Sequence, residues 1–529
     1  MALTKVTGGL LGNLPTGTDN VAVGDTALDS IESGASNNVA IGSAAGTAIT
    51  TGTFNTIVGG LAGDALTTGE RNTVLGKSAL TSDTLGSRAV AVGLSALASQ
   101  NFTTATENYN VAVGYSAGGL ITTGLRNTII GGLAGDALTD ADNNVAVGQA
   151  ALSSDTLGSN SVAIGRNALL TQNFTTATNS YNIAIGSDAG QAITTGVQNT
   201  LVGALAGDSI TTGANNVAIG QNSLSGETTG GRSVAIGVNA LASQNFTGNQ
   251  TPYNVAIGLN AGTAVTTGVG NTFLGGLAGT SSTGSGVDNN TFIGFQAGRY
   301  VTSGEKNTVL GRYDGNQGGL DIRTSSNNIV LSDGDGNPRA YYDGGSTYPL
   351  WNFVTPTAGQ NSMNLSHSSP ASPYGPAIRF TAADPNNTTQ YFLIAIGNTT
   401  ARFVVYSNGD VANINNSYGA YSDVKLKENI IDASSQWDDI KALSVRKYSL
   451  KQDNLDAPNM LGVIAQEVEA AGMGGLVYET PDRDSENNDL GTVTKQVNYS
   501  ILYMKAVKAL QEAMERIETL EAKVTALES

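Results

Sequence analysis

From Asn20 onward the chain repeats one five-residue word, a polar Asn, three strand-forming positions and a Gly. It opens as Asn20-Val-Ala-Val-Gly24, Asn38-Val-Ala-Ile-Gly42, Asn55-Thr-Ile-Val-Gly59 and Asn72-Thr-Val-Leu-Gly76. Seventeen copies run to Asn307-Thr-Val-Leu-Gly311. Most steps between their glycines are 17 residues, and every fourth step in the middle of the array is 21, giving a 72-residue superrepeat marked by Asn38, Asn110, Asn182 and Asn254. Self-similarity at fixed period predicts stacked coils. Three β-formers between a turn-prone Asn and a Gly predict a short strand per coil, with outer positions on one face and the middle position on the other. A second apolar piece follows each Gly (Ser43-Ala-Ala-Gly46, Leu61-Ala-Gly63, Ser78-Ala-Leu80) before a Thr-Thr-Gly turn. Two short strands per coil would make a parallel β-roll from Met1 to about Arg312.

Bulk shifts between the two faces as a unit. Where the word begins with Val or Ile its middle is Ala, as in Val39-Ala40-Ile41. Where it begins with Thr the middle is large, as in Ile57, Val74, Leu201 and Phe273. The expectation is that both faces are packed, one inside the coil and one against a neighbouring chain. The Asn column is expected to be a ladder that satisfies turn backbone groups rather than a ligand site. In the fourth coil of each superrepeat the Asn gives way to Ala89, Ser161 or Ser233. The coils with 21-residue steps carry Gln100-Asn-Phe-Thr-Thr-Ala-Thr, Gln172-Asn-Phe-Thr-Thr-Ala-Thr and Gln244-Asn-Phe-Thr-Gly-Asn-Gln, and their extra four residues should project as loops from one face.

This array resembles the head domains of trimeric autotransporter adhesins, whose repeats carry similar Asn-x-Ala-Ile-Gly words. The resemblance implies a trimeric left-handed β-roll. The longer coil, the superrepeat and the absence of a C-terminal membrane anchor depart from that family and argue against an autotransporter itself. The Gly-Gly-x-Gly-x-Asp nonapeptide of calcium-binding β-helices is missing.

Residues 313–421 break the pattern. Aromatics rise, turns appear at Asp333-Gly-Asp-Gly-Asn337, Asp343-Gly-Gly345 and Ser407-Asn-Gly-Asp410, and strand-like runs include Arg402-Phe-Val-Val-Tyr406. An all-β middle module is expected. Asp333 to Asn337 looks like part of a calcium loop, but Gly344 stands where the twelfth-position Glu belongs, so a turn is the better reading and no metal is expected. The only histidine, His367, has no second histidine to share a metal and is expected at the surface. Tyr341, Tyr342, Tyr348, Trp351 and Tyr374 are candidates either for core packing or for stacking on sugar rings. Glycan hydrolysis would need a carboxylate pair at defined separation. Seven acids lie in this segment, and their sequence positions leave open whether any two meet.

Composition narrows the partners. With 68 Gly and only 11 Pro in 529 residues, neither collagen nor a Pro-rich disordered chain fits. A net charge of −17 argues against nucleic acid and anionic membrane surfaces. There is no cysteine, hence no disulfide or thiol chemistry. No apolar run is long enough to span a bilayer, and no basic-then-apolar leader opens the sequence, so membrane insertion and secretory export are not expected. No cofactor is indicated.

The charge density changes abruptly near residue 422. Residues 1–312 hold ten Lys/Arg and seventeen Asp/Glu, whereas the 108 residues 422–529 hold twelve and nineteen. The seam reads Ser422-Asp-Val-Lys-Leu-Lys427-Glu-Asn-Ile430 and puts a hydroxyl five residues before an amine. A serine needs a base to become a nucleophile, and a lysine serves as that base only where burial or a nearby cation favours its neutral form. Such spacing alone is common by chance. The seam, followed by Leu461-Gly-Val-Ile-Ala-Gln-Glu-Val468, Val497-Asn-Tyr-Ser500 and a terminal helix, resembles the C-terminal intramolecular chaperone of bacteriophage tailspikes and tail fibres. The resemblance implies autoproteolysis between Tyr421 and Ser422, with Ser422 as nucleophile, Lys427 as base, and Asp423 and Lys425 in support. It also implies a chaperone that trimerises and helps fold the β-structure upstream. The helix from about Asn498 carries Val507, Leu510, Met514 and Ile517 at 3-4-3 spacing, then Leu520, Val524 and Leu527 after a shift of register, as a three-stranded coiled coil would.

The sequence therefore predicts a mainly β protein in three parts: a β-roll or β-solenoid shaft (1–312), a β-rich middle module (313–421) and an α+β chaperone domain (422–529). The expected role is a homotrimeric phage tail fibre, assembled in the host cytoplasm and resident in the virion. Its expected partners are other virion tail proteins and a host cell-surface receptor, polysaccharide among the candidates. A tailspike glycan hydrolase and a bacterial surface adhesin with a borrowed chaperone are the alternatives.

Overall fold

The structure is a computed structural model and describes residues 18–284, 287–344, 351–354, 391–397, 400–406, 411–413, 424–449, 460–483 and 489–529. Two compact units result, 1–374 and 375–529.

The first unit is a β-solenoid. Each word forms a three-residue strand, beginning with Val21–Val23, Val39–Ile41 and Thr56–Val58, and like positions pair in parallel register from coil to coil. An eighteenth rung, Ile329–Ser332, pairs with Thr308–Leu310 beyond the last word counted in the sequence. It was hidden because Ser332 replaces the Gly. At Gly186, with φ of 141°, a Cβ would lie 2.4 Å from the carbonyl oxygen of Gly203 in the next coil, so every stacked word must end in Gly. Among the described residues no parallel coil follows Ser332, and a side chain is tolerated there; its Oγ accepts the Tyr313 amide at 2.9 Å. The antiparallel strands Pro338–Tyr342 and Trp351–Phe353 then close the sheet edge.

The middle residue of each word points inward and is buried, from Ala40 and Ile57 to Phe273 and Phe292. The volume exchange has a partner inside the coil. A Cβ on Gly46 would meet Ile57 Cδ1 at 3.1 Å and Leu28 Cδ2 at 3.2 Å, so the turn position empties where a neighbouring strand supplies bulk. The second apolar piece is not the strand that the sequence predicts. It is a run of turns in which right-handed residues alternate with left-handed ones such as Ala44, Leu61 and Ser78. Backbone that reverses hand this often has no ladder to join, and only two-residue strands form beside the inserts, for example Gly86–Ser87 with Thr106–Glu107.

The Asn column is a hydrogen-bonded ladder. Asn38 Oδ1 accepts from the Asn55 amide (3.0 Å) and Asn55 Nδ2 (3.1 Å), while Asn38 Nδ2 donates to the Gly52 carbonyl at 2.9 Å. Where the column breaks, the insert repairs it. Gln100 turns inward, accepting from Asn110 Nδ2 at 2.9 Å and donating to Asp83 Oδ2 at 2.6 Å. Gln172 and Gln244 repeat this with Asp155 and Glu227. The inserts are thus only partly projecting loops. Gln100 and Phe102 are buried and Thr103, Thr104 and Ala105 remain outside. Burial pushes the Asp83 and Asp155 carboxyls up from the ordinary range, opposed by the Gln side chains and by backbone amides.

The second unit contains an antiparallel meander, Tyr391–Gly397, Thr400–Tyr406 and Val411–Asn413. Beyond residue 424 come the helix Trp437–Ala442, the strand pair Arg446–Tyr448 with Met460–Gly462, the helix Ala465–Ala470, the hairpin Val477–Arg483 with Asp489–Val497, and the helix Tyr499–Glu528. Its buried core is small: Val468, Met473, Leu476 and Leu502, flanked by Ile440, Val463 and Tyr499.

Candidate autoprocessing site

The seam enters the described residues at Val424, where Val424–Leu426 makes one tight turn that the Lys427 amide closes onto the Val424 carbonyl at 3.1 Å. Lys425 and Lys427 are exposed in the single chain. Tyr421, Ser422 and Asp423 lie outside the described residues. Beside the turn in sequence, Val424, Ile430 and Ile431 are exposed, Ile431 at 88%, and Leu461 on the strand Met460–Gly462 is exposed as well. Three large apolar side chains left exposed within eight residues are a candidate for cover by another surface.

The terminal helix divides into two faces. One packs on its own domain through buried Leu502 and Ala509. Beside them Lys505 pairs with Asp439 at 2.6 Å, Glu512 accepts from Ser435 Oγ (2.7 Å) and the Gln436 amide (2.9 Å), and Arg516 stacks 4.2 Å from the Trp437 ring. The bonds from Ser435 and Gln436 hold the Glu512 carboxyl below its ordinary range. The opposite face carries the predicted seam. Val507, Leu510, Met514 and Ile517 are 48–62% exposed, and Leu520, Val524 and Leu527, past the shift of register, are exposed as well. Asn498 caps the helix, its side chain accepting from the Ile501 amide.

Of the other candidates, Asp333 makes a turn. Its carboxylate accepts from the Asp335 and Asn337 amides at 3.0 and 2.9 Å and pairs with Arg339. Loss of solvent would raise its pKa, but these bonds prevail and bring it down to about 2. Among the described residues no group of His, Asp and Glu could hold a metal. Tyr342, Trp351 and Phe353 form a row with ring centroids 5.8 and 6.4 Å apart, with Trp351 half-exposed, while Tyr341 packs against the solenoid core. His367, Tyr348 and Tyr374 fall outside the described residues. No helix is long and apolar enough to cross a membrane among the described residues.

Compared with known proteins, residues 422–478 match the family model described as the chaperone of endosialidase. No curated protein and no solved structure matches the chain. The chain thus joins a β-solenoid to a chaperone-of-endosialidase segment, the plan of a fibre- or tailspike-like protein with an intramolecular chaperone.

Proposed function

We propose that this is a homotrimeric phage tail fibre that attaches virions to the host surface and whose C-terminal chaperone cuts itself off between Tyr421 and Ser422. The observation that carries the reading is the family match, which begins at Ser422 in a chain whose upstream part is a long β-solenoid. In the proposed reaction Ser422 Oγ attacks the Tyr421 carbonyl carbon. Lys427 takes the hydroxyl proton and passes it to the departing Ser422 nitrogen, so the amide C–N bond is exchanged for an ester. Water then hydrolyses the ester, leaving a Tyr421 carboxylate and restoring the Ser422 hydroxyl on a new N-terminus. The amine must be neutral to act as base, and packing of chains around the apolar surface of Val424, Ile430 and Ile431 would supply the desolvation.

Trimerisation is supported from both ends. All-parallel sheets are stable where both faces are covered. The solenoid sheet buries one face, while the third word position, invariably Val, Ile or Leu, forms an outward stripe that includes half-exposed Ile41, Leu75, Ile130, Leu274 and Leu310. The free apolar face of the terminal helix needs a partner of the same kind.

The test is the denatured mass of the full chain beside Ser422→Ala. Cleavage yields fragments of roughly 43 and 11 kDa, at about 0.1 kDa per residue. A wild type that splits and a variant that stays whole is the expected result. If both stay whole, the roles given to Ser422 and Lys427 are wrong and the domain is a retained cap.

A further inference from the structure

The residue just before each Asn of the ladder occupies the same corner in all eighteen coils. Its backbone is left-handed throughout, with φ between 49° and 68° from Asp19 to Asn327. Asn and Gly adopt this conformation most readily, and the corner uses them at Asn37, Asn143, Asn160, Asn215, Gly270, Asn289 and Asn327. Ten rungs instead carry large side chains for which this geometry costs about 1–2 kcal/mol each. Four are aromatic (Phe54, Tyr109, Tyr181 and Tyr253), all 48–57% exposed, so core packing does not explain them. Five are cationic (Arg71, Arg88, Arg126, Arg232 and Lys306), half of all the cations in residues 1–312. Left-handed backbone recurs in the turns of every coil, so the fold sets the conformation; what asks for a function is the choice of exposed aromatic and cationic side chains at a corner where Asn or Gly would sit with less strain.

The corner is also built. Arg71 lies 5.6 Å from the Phe54 ring, Arg88 5.6 Å from Tyr109 and Arg232 5.9 Å from Tyr253. Tyr109 donates to Glu107 at 2.7 Å, Glu107 pairs with Arg88 at 2.9 Å, and Arg232 donates to the Tyr253 hydroxyl at 3.0 Å. Beside Arg232 and Asn215 opens a cavity of about 180 Å³, walled by Thr229, Asn249, Gln250 and Thr251. The three tyrosines recur every 72 residues, four rungs apart, or about 19 Å along the stack at the usual strand spacing.

We infer that this corner is a binding ledge for a linear polysaccharide laid along the solenoid axis, an inference that rests on the host-attachment reading and names its ligand class. Aromatic rings cover the C–H faces of sugars, while Arg, Asn, Gln and Glu hydrogen-bond their hydroxyls. A polymer spans several tyrosines at once, so weak contacts add along the ledge and across chains. A second copy of this chain is the poorer occupant. Interface cores are depleted of charge, and the apolar stripe on the strands suits that partner better.

The experiment compares the full chain with a triple variant, Tyr109→Asn, Tyr181→Asn and Tyr253→Asn, on an array of immobilised bacterial lipopolysaccharides and capsular polysaccharides. Six rungs already use Asn here, so the variant keeps its fold, with a melting temperature equal to or above wild type. The wild type is expected to be retained by at least one polysaccharide and the variant to bind it at least tenfold more weakly. A wild type that none retains, or a polysaccharide that holds both proteins equally, overturns the ledge. Cleavage at Ser422 and oligomeric state, read on the same samples, report separately on the fibre reading.

Discussion

At the residue scale the shaft depends on buried amides as well as on its apolar core. Asn182 Oδ1 accepts from the Asn199 amide at 3.0 Å, and its Nδ2 donates to Gln172 Oε1 at 2.8 Å and to the Gly196 carbonyl at 2.7 Å, all out of water. Asn182→Ala leaves each of these groups buried without its partner. A loss of about 3–5 kcal/mol is expected, because each orphaned group costs its own desolvation. Thr195→Ala, exposed in the same coil, should stay within about 0.5 kcal/mol. Thermal or denaturant unfolding of the two variants checks both; equal melting would mean the ladder contributes little.

At the element scale, two faces of one helix divide the labour. Leu502, Ala509 and Arg516 attach it to its domain, while Leu510 and Met514 face away. Leu510→Glu with Met514→Glu is therefore expected to leave the domain folded and to abolish self-association, with a loss of about 4 kcal/mol or roughly a thousandfold. Light scattering reads the outcome, and an unchanged oligomer would place the interface elsewhere. This helix and the word strands were legible in the sequence because periodicity reports which face needs cover. The eighteenth rung was not legible, since Ser332 lacks the Gly that stacking alone makes necessary. Nor was the second half of each coil. Ser43-Ala-Ala-Gly46 has strand composition, but its alternating backbone hand is set by coil closure, which no local pattern encodes. The buried Gln100 passed for a loop residue, though its position after the broken Asn column was the available signal. The proposed pairing of Ser422 with Lys427 rests on family resemblance, because a hydroxyl and an amine five residues apart carry little information by themselves.

At the scale of the whole molecule, near-identity of the words creates a folding problem. Each coil touches only its neighbours, so a chain whose rungs pair one coil out of step with those of a neighbouring chain loses little more than its end contacts. Parallel pairing is non-local and slow, and partly assembled sheets expose edges that aggregate. A trimer nucleated at the C-terminus would set register once, from the end nearest the chaperone, and the solenoid could then extend coil by coil. The chaperone would be needed for assembly and not for persistence. A chain ending at Tyr421 is accordingly expected to aggregate or to form mixed oligomers on synthesis. The same residues, released by cleavage of the full chain, are expected to remain trimeric, and to fail to refold once denatured. Light scattering and circular dichroism on the two preparations make the comparison. If the truncated chain folds to the same trimer unaided, register is encoded within the shaft, in the 72-residue spacing of its Gln-anchored inserts, and the C-terminal domain serves some end other than assembly.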